Sequence, residues 1–414
     1  MSTVTVTIET LGAQGHGVAH ADNVPVYVPF SLPGEKIAIA RNGDHGTVMS
    51  TSNLSPDRVT PVCKHFGYEG DLCGGCVLQH LADTPYHAFK RNLVVEALKS
   101  RGLEPEVAPL VIARPGERRR VVFSVRLTDK GLLLGYNRAE TNQIFSVEEC
   151  PITTPGIVGR LDAIRAIARS LAQGQDVFRV AVLETLSGLD IAAEGLKAPN
   201  DKQRRAATET VLSLRGIARL SVNGEVVIEQ QRPLLDFGGT KVSPPAGAFV
   251  QATVPAEEAM AELVLSHLSR SKRVIDLFAG SGTFALRLAR KAKVHAVEGD
   301  DKSVKALDHA ARNTQGLKPV TVEKRDLFRR PMMASELKLY DGLVFDPPRA
   351  GADALAKELA RSPIKSVAAV SCNPATLARD LRILVDGGYR IKTVVPIDQF
   401  LWSAHVEAVA LLEK

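Results

Sequence analysis

A cysteine near the end of the chain, Cys372, stands where a thiol could act as a nucleophile. It follows an apolar run at residues 367–371 and precedes Asn373 and Pro374. Proline is favoured in the first turn of a helix, so a helix is predicted to begin there. The positive field at a helix N-terminus favours the thiolate, which is the reactive form of cysteine. We therefore predict that Cys372 is a nucleophile; a buried structural cysteine is the alternative.

A second set of candidate residues occurs where short apolar runs end. The glycine turn at residues 280–283 follows the first run, and the acidic residues along these runs are Asp276, Glu298, Asp326 and Asp346. A glycine turn lets the backbone approach a ligand. Glu298 suits the two hydroxyls of a ribose, and Asp326 could accept the exocyclic amine of adenine. This order resembles the S-adenosylmethionine site of class I methyltransferases; a dinucleotide site or a glycine needed only for helix packing is the alternative.

A nucleophilic thiol beside a methyl donor indicates chemistry at C5 of uracil. This carbon cannot attack a methylsulfonium until a thiolate adds to C6 and places negative charge on C5. A base must then remove the C5 proton before the cysteine can leave. Glu407 interrupts an apolar strand pattern, where a carboxylate is costly unless it is paired or functional. We predict that Glu407 is this base; a solvent-facing glutamate on an edge strand is the alternative.

The residue after Asp346-Pro347-Pro348 argues against methylation of an exocyclic amino group of a base. Amino-methyltransferases carry an aromatic residue there that stacks on the target base, whereas this chain has Arg349. Methylation of an exocyclic nitrogen is therefore disfavoured.

The other four cysteines have the spacing of a metal site. Cys63, Cys73 and Cys76 lie close together in the sequence, and Cys150 follows much later, directly before Pro151. Disulfides are rare in cytoplasmic proteins, so thiolate ligation is the better interpretation. Structural zinc usually draws on two CxxC pairs, whereas three cysteines and a distant Cys-Pro are typical of iron–sulfur ligation. Four unrelated core cysteines are the alternative.

Length and composition agree with a folded, multidomain protein. The chain has 414 residues, of which 24% are charged and 45% hydrophobic, and this length predicts roughly two to four domains. Lys and Arg outnumber Asp and Glu by 52 to 46, which is compatible with a polyanionic partner. The sequence contains no apparent membrane span or secretory signal, so we expect a cytoplasmic protein.

The elements that must position these residues fall into three predicted regions. Residues 1–55 alternate apolar and polar positions between glycines, as in a small β-barrel. Residues 56–245 contain the cysteine loop, a helix predicted over 86–101, and mixed strands and helices that predict an α+β domain. In residues 246–414, β-branched runs alternate with helices, which predicts a doubly wound parallel sheet of the α/β class. Ligands of such sheets bind at the carboxyl ends of the strands.

Almost the whole chain resembles the RNA uracil-5-methyltransferase family. The resemblance rests on the motifs Asp346-Pro347-Pro348-Arg349-Ala350-Gly351, Ser371-Cys372-Asn373-Pro374 and His405-Val406-Glu407. Residues 15–19 and 28–35 resemble the TRAM domain, an OB-like RNA-binding β-barrel. Residues 73–80, with the sequence CGGCVLQH, resemble the iron–sulfur loop of the members that methylate large-subunit ribosomal RNA.

The resemblance implies a class I, Rossmann-like methyltransferase domain at the C-terminus and assigns roles to named residues. Cys372 is then the nucleophile and Glu407 the base. The residues implied to bind S-adenosylmethionine are Gln251, Phe278, Gly280, Thr283, Glu298, Asp326 and Asp346. The residues implied to bind a [4Fe-4S] cluster are Cys63, Cys73, Cys76 and Cys150.

The implied substrate is a uridine in RNA, foremost 23S ribosomal RNA, that is flipped out of a loop. We expect a monomer that acts on RNA, with no DNA or membrane partner. The RNA surface is predicted on the barrel and on residues 114–126, where Arg118, Arg119 and Arg120 precede a strand; a solvated basic face is the alternative. Other functions that stay open are a tRNA uracil-5-methyltransferase, a non-catalytic RNA-binding protein with a methyltransferase fold, and a radical enzyme that uses the cluster.

Overall fold

The computed structural model describes residues 2–414, with Ser2 described by its backbone alone. Met1, the first residue of the predicted N-terminal domain, lies outside the described residues. Three large sheets follow one another along the chain, with six, seven and seven strands, and a two-stranded ribbon precedes the last of them. Among the described residues, no helix is long and apolar enough to cross a membrane.

The first sheet is a small barrel. Its strands are β1 (Ser2–Thr7), β2 (Thr10–Leu11), β3 (Gly17–Ala21), β4 (Val24–Val28), β5 (Lys36–Asn42) and β6 (His45–Asn53). They pair in the order β1-β5-β6-β4-β3-β2, and β2 continues directly from β1, so the two edges of the sheet meet. Alternate side chains such as Val6, Val26 and Ile39 form its core. The predicted barrel is confirmed.

An irregular segment and one helix follow the barrel. Residues 54–82, which carry three of the cysteines, contain neither a helix nor an extended strand. The helix is α1 (Asp83–Lys99), close to its predicted position. Its buried residues Val94 and Leu98 pack into the core of the C-terminal sheet, beside Leu381. In the sequence, α1 belongs to the predicted central region, but its side chains pack in the core of the C-terminal sheet.

The central sheet has an α+β organisation. Its elements are β7 (Arg120–Thr128), β8 (Gly131–Asn137), β9 (Ile144–Ser146), α2 (Pro155–Val158), α3 (Leu161–Leu171), β10 (Phe178–Thr185), β11 (Gly188–Glu194), α4 (Asp201–Ser213), β12 (Ile217–Val222) and β13 (Glu225–Glu229). The strand order is β13-β12-β11-β10-β7-β8-β9. Strand residues such as Phe123 pack on Ile164 of α3 and Val211 of α4. The ribbon β14 (Leu235–Asp236) and β15 (Lys241–Val242) then leads to the last sheet.

The C-terminal sheet is doubly wound, as predicted. Its elements are α5 (Val254–His267), β16 (Arg273–Leu277), α6 (Ala285–Leu288), β17 (Lys293–Glu298), α7 (Asp301–Arg312), β18 (Val320–Lys324), α8 (Ala334–Leu337), β19 (Gly342–Phe345), α9 (Asp353–Ala360), β20 (Ser366–Ser371), α10 (Pro374–Asp386), β21 (Arg390–Ile397) and β22 (Glu407–Glu413). The strand order is β18-β17-β16-β19-β20-β22-β21.

The direction of β22 decides where Glu407 lies. Strands β16 to β20 are parallel, whereas β22 runs antiparallel to β20 and pairs Ala408 with Ser371. The first residue of β22 therefore lies at the edge where β20 ends. This brings Glu407 to the same edge of the sheet as Cys372, although they are far apart in the sequence.

Candidate active site

A cavity of about 1290 Å³ lies at the carboxyl edge of the C-terminal sheet, and we call it the catalytic cavity. It is lined by every residue predicted to bind S-adenosylmethionine or to act in catalysis: Gln251, Phe278, Gly280, Thr283, Glu298, Asp326, Asp346, Cys372 and Glu407. Asp276 of β16 lies beneath it, where burial raises the pKa of its carboxyl well above the usual value. The parallel topology therefore collects side chains that are far apart in the sequence.

The glycine turn after β16 presents its backbone to the catalytic cavity. Phe278 and Gly280 both have left-handed backbones, with φ of 62° and 53°, and this conformation is uncommon for a residue with a side chain. The Gly280 N–H donates to Glu298 Oε2 at 2.9 Å, and the Gly299 N–H donates to Glu298 Oε1 at 2.6 Å. Backbone amides thus fix the Glu298 carboxylate at the end of β17.

Two aromatic rings pack beside each other at a tilted angle in this part of the cavity. Phe278 and Phe328 have ring centroids 5.5 Å apart, and Phe328 is 52% exposed. The Phe328 N–H donates to Asp326 Oδ1 at 3.0 Å. Sequence analysis missed Phe328; its only signal is an aromatic residue two positions after the predicted Asp326.

Side-chain amides join the two buried carboxyls of the site. Gln251 Nε2 donates to Asp346 Oδ2 at 2.9 Å. Gln399 Nε2 donates to Gln251 Oε1 at 2.9 Å and to Glu407 Oε2 at 2.6 Å. Sequence analysis did not identify Gln399, which lies in the irregular segment between β21 and β22.

Burial dominates the electrostatics of these carboxyls. Glu407 is 2% exposed, so the alternative of a solvent-facing glutamate is wrong. Burial, followed by repulsion from Asp346, raises the pKa of Glu407 to about 8. Burial raises the pKa of Asp346 to about 7, while its hydrogen bond from Gln251 acts in the opposite direction. Such shifts are typical of groups that exchange protons in catalysis.

Cys372 lies at its predicted place, between β20 and α10. It precedes Asn373, the N-cap of α10, whose side chain accepts from the Ala375 N–H at 3.2 Å. Burial, followed by repulsion from Glu407 and Asp346, raises the pKa of Cys372 to about 11. Burial and the two carboxyls therefore oppose the thiolate, which the position of Cys372 before α10 favours.

The other four cysteines surround a separate cavity of about 350 Å³, the cysteine cavity, lined among others by Cys63, Cys73, Cys76 and Cys150. Within residues 2–414, no three His, Cys, Asp or Glu side chains are arranged so that they could hold a metal ion. The thiols thus enclose a space and do not converge on one point. Phe400 and His405 line both this cavity and the catalytic cavity, so the two cavities share a wall.

Burial raises the pKa of three thiols of the cysteine cavity, Cys63, Cys73 and Cys76. Burial raises the pKa of Cys73 to about 11, and the neighbouring Cys150 and Cys63 add to this increase. Burial raises the pKa of the fully buried Cys76 even further. Two sulfurs accept hydrogen bonds, Cys73 Sγ from the Gly75 N–H at 3.4 Å and Cys150 Sγ from the Thr153 hydroxyl at 3.2 Å.

The three consecutive arginines divide between two environments. Arg119 is buried and forms an ion pair with Glu257 at 2.5 Å, so its predicted place on an RNA surface is wrong. Arg118 and Arg120 lie on the opposite side of the strand and line the cysteine cavity. Their guanidinium groups lie 6.0 Å and 5.8 Å from the ring centroids of Phe400 and Phe249, respectively.

Comparison with known proteins agrees with this architecture. Residues 243–414 match a family model described as tRNA (uracil-5-)-methyltransferase, and residues 1–40 match the TRAM domain. The fold is similar to that of the tRNA (uracil-54, C5)-methyltransferase of Pyrococcus abyssi, solved in complex with S-adenosyl-L-homocysteine. That comparison has a TM-score of 0.76 and 23% identity, and it covers 99% of each chain.

Relatives similar over their whole length show the family. The chain is 67% identical over 416 residues to an uncharacterized RNA methyltransferase of Agrobacterium fabrum, with both proteins covered completely. It is 32% identical over 444 residues to the 23S rRNA (uracil(1939)-C(5))-methyltransferase RlmD of Hahella chejuensis, covering 99% of this chain and 97% of that protein. The chain therefore belongs to the RNA uracil-5-methyltransferase family and is an S-adenosylmethionine-dependent RNA methyltransferase.

Proposed function

We propose that the protein methylates C5 of a uridine in 23S ribosomal RNA, through covalent addition of Cys372. The observation that carries this proposal is the placement of Cys372, Glu407 and the predicted cofactor residues around one cavity. The full-length relative RlmD, which is named for this activity, supports ribosomal RNA as the substrate. We further propose that the enzyme acts as a cytoplasmic monomer.

In the proposed mechanism, the chain supplies a nucleophile and a base from neighbouring strands. S-adenosylmethionine, when bound, supplies an electrophilic methyl group on a sulfonium. The Cys372 sulfur forms a bond to C6 of uracil, which makes C5 nucleophilic. C5 would take the methyl group as the sulfur–methyl bond of the donor breaks, which leaves a neutral thioether. Glu407 then removes the C5 proton, the C5–C6 double bond re-forms, and the C6–sulfur bond breaks to release the Cys372 thiolate.

The proposed cofactor site explains how Cys372 becomes reactive. Burial, followed by the charges of Glu407 and Asp346, opposes the thiolate of Cys372. A positively charged ligand beside Asp346 would offset this negative charge, because opposite charges at short range in a buried site attract strongly. Glu298 and Asp326 would hold the ribose and the adenine, and Phe278 would contact the adenine face. We therefore propose that the thiol is activated only when the methyl donor is in place.

We also propose that the cysteine cavity holds a [4Fe-4S] cluster. Four thiols around one cavity suit iron–sulfur chemistry. The positive charge of bound iron would offset the burial and mutual repulsion that oppose thiolates here, because a metal ion stabilises the deprotonated thiol that ligates it. The hydrogen bonds to the sulfurs of Cys73 and Cys150 are of the kind that tune such clusters. When bound, the cluster would cross-link the irregular segment to the residues around Cys150.

The RNA target is tested by mapping 5-methyluridine in a strain that lacks the gene. We expect mass spectrometry to find the modification missing from one site in 23S ribosomal RNA and retained in transfer RNA, with restoration by the wild-type gene. A site missing from transfer RNA would make the protein a tRNA uracil-5-methyltransferase. No missing site in either RNA would favour the non-catalytic alternative.

A further inference from the structure

The amide of Gln399 contacts two residues that line the catalytic cavity, Gln251 and Glu407, and the proposed mechanism does not use it. Gln399 is 2% exposed, and each of its polar atoms has a partner. Its Oε1 accepts from the Ala252 N–H at 2.9 Å, and its Nε2 donates to both Gln251 and Glu407. Its side chain therefore connects the segment before β22 to the segment before α5.

The backbone of Ala252 determines the orientation of this whole network. A backbone N–H can only donate, so it must face the carbonyl oxygen of Gln399 and not its NH₂ group. The Gln399 NH₂ group then faces Glu407 and the carbonyl oxygen of Gln251. As a result, the Gln251 NH₂ group must face Asp346. One fixed amide thus directs donors at both buried carboxyls.

The segment that carries Gln399 is itself anchored in the protein core. Its neighbour Asp398 forms an ion pair with Lys90 at 3.0 Å, with both side chains fully buried. The Tyr86 hydroxyl donates to Asp398 Oδ2 at 2.6 Å and accepts from the Trp402 N–H at 2.7 Å. These contacts come from α1, so a helix distant in sequence fixes the backbone on which Gln399 sits.

We propose that Gln399 is the positioning residue for Glu407: it holds this side chain toward the catalytic cavity as a proton acceptor and orients Gln251 toward Asp346. This inference rests on the proposed role of Glu407 in removing the C5 proton. A donated hydrogen bond stabilises the carboxylate over the carboxylic acid. Gln399 therefore opposes the effect of burial and of Asp346, both of which raise the pKa of Glu407.

Gln399 is a neutral side chain that donates a hydrogen bond to Glu407. The titratable groups that face it are Asp346 at the end of β19 and Cys372 at the end of β20. Arg349 lies near Cys372, and His405 precedes Glu407 by two residues, with its pKa lowered by burial and by Arg349. Removal of the Gln399 amide should thus raise the pKa of Glu407 without removing any charge.

The test compares Gln399→Met and Gln399→Glu with the wild-type chain. Met removes the hydrogen bonds at similar size, and Glu retains an acceptor for the Ala252 N–H but adds a third carboxyl. In single-turnover reactions with an RNA transcript containing the target uridine, both variants should accumulate the covalent adduct. The pH midpoint of adduct release should rise by about one unit for Met, the size of one charge-assisted hydrogen bond, and further for Glu. Near neutral pH, release by the Met variant should be about tenfold slower.

An infrared titration of the free protein separates this proposal from the catalytic one. The band of the protonated Glu407 carboxyl, assigned by its loss in Glu407→Gln, should shift to a higher midpoint in both Gln399 variants. Ser403→Ala alters the same segment away from Glu407 and should keep the wild-type midpoint. Wild-type midpoints in both Gln399 variants would overturn the proposal. If wild-type protein methylates no RNA, the proposed function fails, and the infrared titration still decides the role of Gln399.

Discussion

The catalytic cavity and the cysteine cavity share the wall formed by Phe400 and His405, but they are built in different ways. Side chains of the catalytic cavity come from the ends of parallel strands, as Glu298 and Cys372 show. Three of the four cysteines come from residues 54–82, which have no extended strand or helix. The topology of the sheet thus brings the catalytic residues together at one edge. The cysteine cavity depends on contacts between irregular segments, and the proposed cluster would reinforce these contacts.

The two cavities also differ in what opposes thiolate formation. In the catalytic cavity, two carboxyls add to the effect of burial on Cys372, and Arg349 acts against them. In the cysteine cavity, thiolate formation by Cys73 and Cys76 is opposed chiefly by burial and then by the neighbouring thiols. In our proposal, one positively charged ligand offsets the carboxyls beside Cys372, whereas a cluster binds the sulfurs of the cysteine cavity together. The predictions that follow test this separation.

Substitutions of Cys372 and Glu407 should have the largest effect on catalysis. Cys372→Ala should reduce methylation by about a thousandfold or more, because the covalent route is removed. Glu407→Gln should still methylate once and then stall as a protein–RNA adduct, because C5 keeps its proton. A denaturing gel of single-turnover reactions with radiolabelled RNA measures both. Normal turnover by Cys372→Ala would refute the mechanism.

Substitutions in the cysteine cavity should affect iron and stability together. Cys73→Ser and Cys76→Ser should each lose the brown colour and most of about four irons per chain, and should unfold at lower temperature. Iron analysis of anaerobically purified protein and thermal unfolding provide the measurements. Cys372→Ser is the matched control and should keep its iron. Stoichiometric zinc in the wild-type protein would contradict the iron–sulfur assignment.

Most residues of the catalytic cavity can be predicted from the sequence, because they lie at the ends of predicted strands, where a parallel sheet binds its ligands. Glu298 ends a strand, and Cys372 directly follows one, at the edge where a parallel sheet binds ligands. Gln399 has no such signal: it lies in an irregular segment, and its importance depends on distant partners, as the 148 positions to Gln251 show. Pairings of this kind require the folded chain.

Two local patterns in the sequence meet opposing partners in the fold. The helix field at Cys372 is local and visible in the sequence, whereas the opposing charge of Glu407 arrives through the antiparallel β22. Arg119 belongs to a basic run in the sequence, but it lies directly before β7, where its buried side chain pairs with Glu257. In both cases, a partner from elsewhere in the chain opposes what the local pattern predicts.

The buried ion pair between Lys90 and Asp398 fixes the segment that carries Phe400 and His405. Because these two residues line both cavities, we expect the ion pair to support both. Lys90→Met should leave the Asp398 carboxylate buried and unpaired, at a cost of about 3–5 kcal/mol in the free energy of unfolding. Urea unfolding measures this change. The double variant Lys90→Met with Asp398→Asn should recover part of it, because no unpaired charge remains. A cost below about 1 kcal/mol in the single variant would show that segment 398–405 is held by other interactions.

The smallest expected effect concerns Arg118 and Arg120, which lie beside the wall and pack near Phe400 and Phe249. If these guanidinium groups also bind RNA phosphates, replacing both by Ala should weaken RNA binding similarly across sequences. The slope of log affinity against log salt should fall by roughly 0.7 for each phosphate that is no longer neutralised on single-stranded RNA. Affinity for S-adenosylmethionine should not change, since neither arginine lines the catalytic cavity.

Arg312→Ala, which removes an exposed guanidinium paired with Asp308 on α7, is the matched control. An unchanged slope in the double variant would leave the N-terminal barrel as the main RNA-binding surface and confine these arginines to the cysteine cavity.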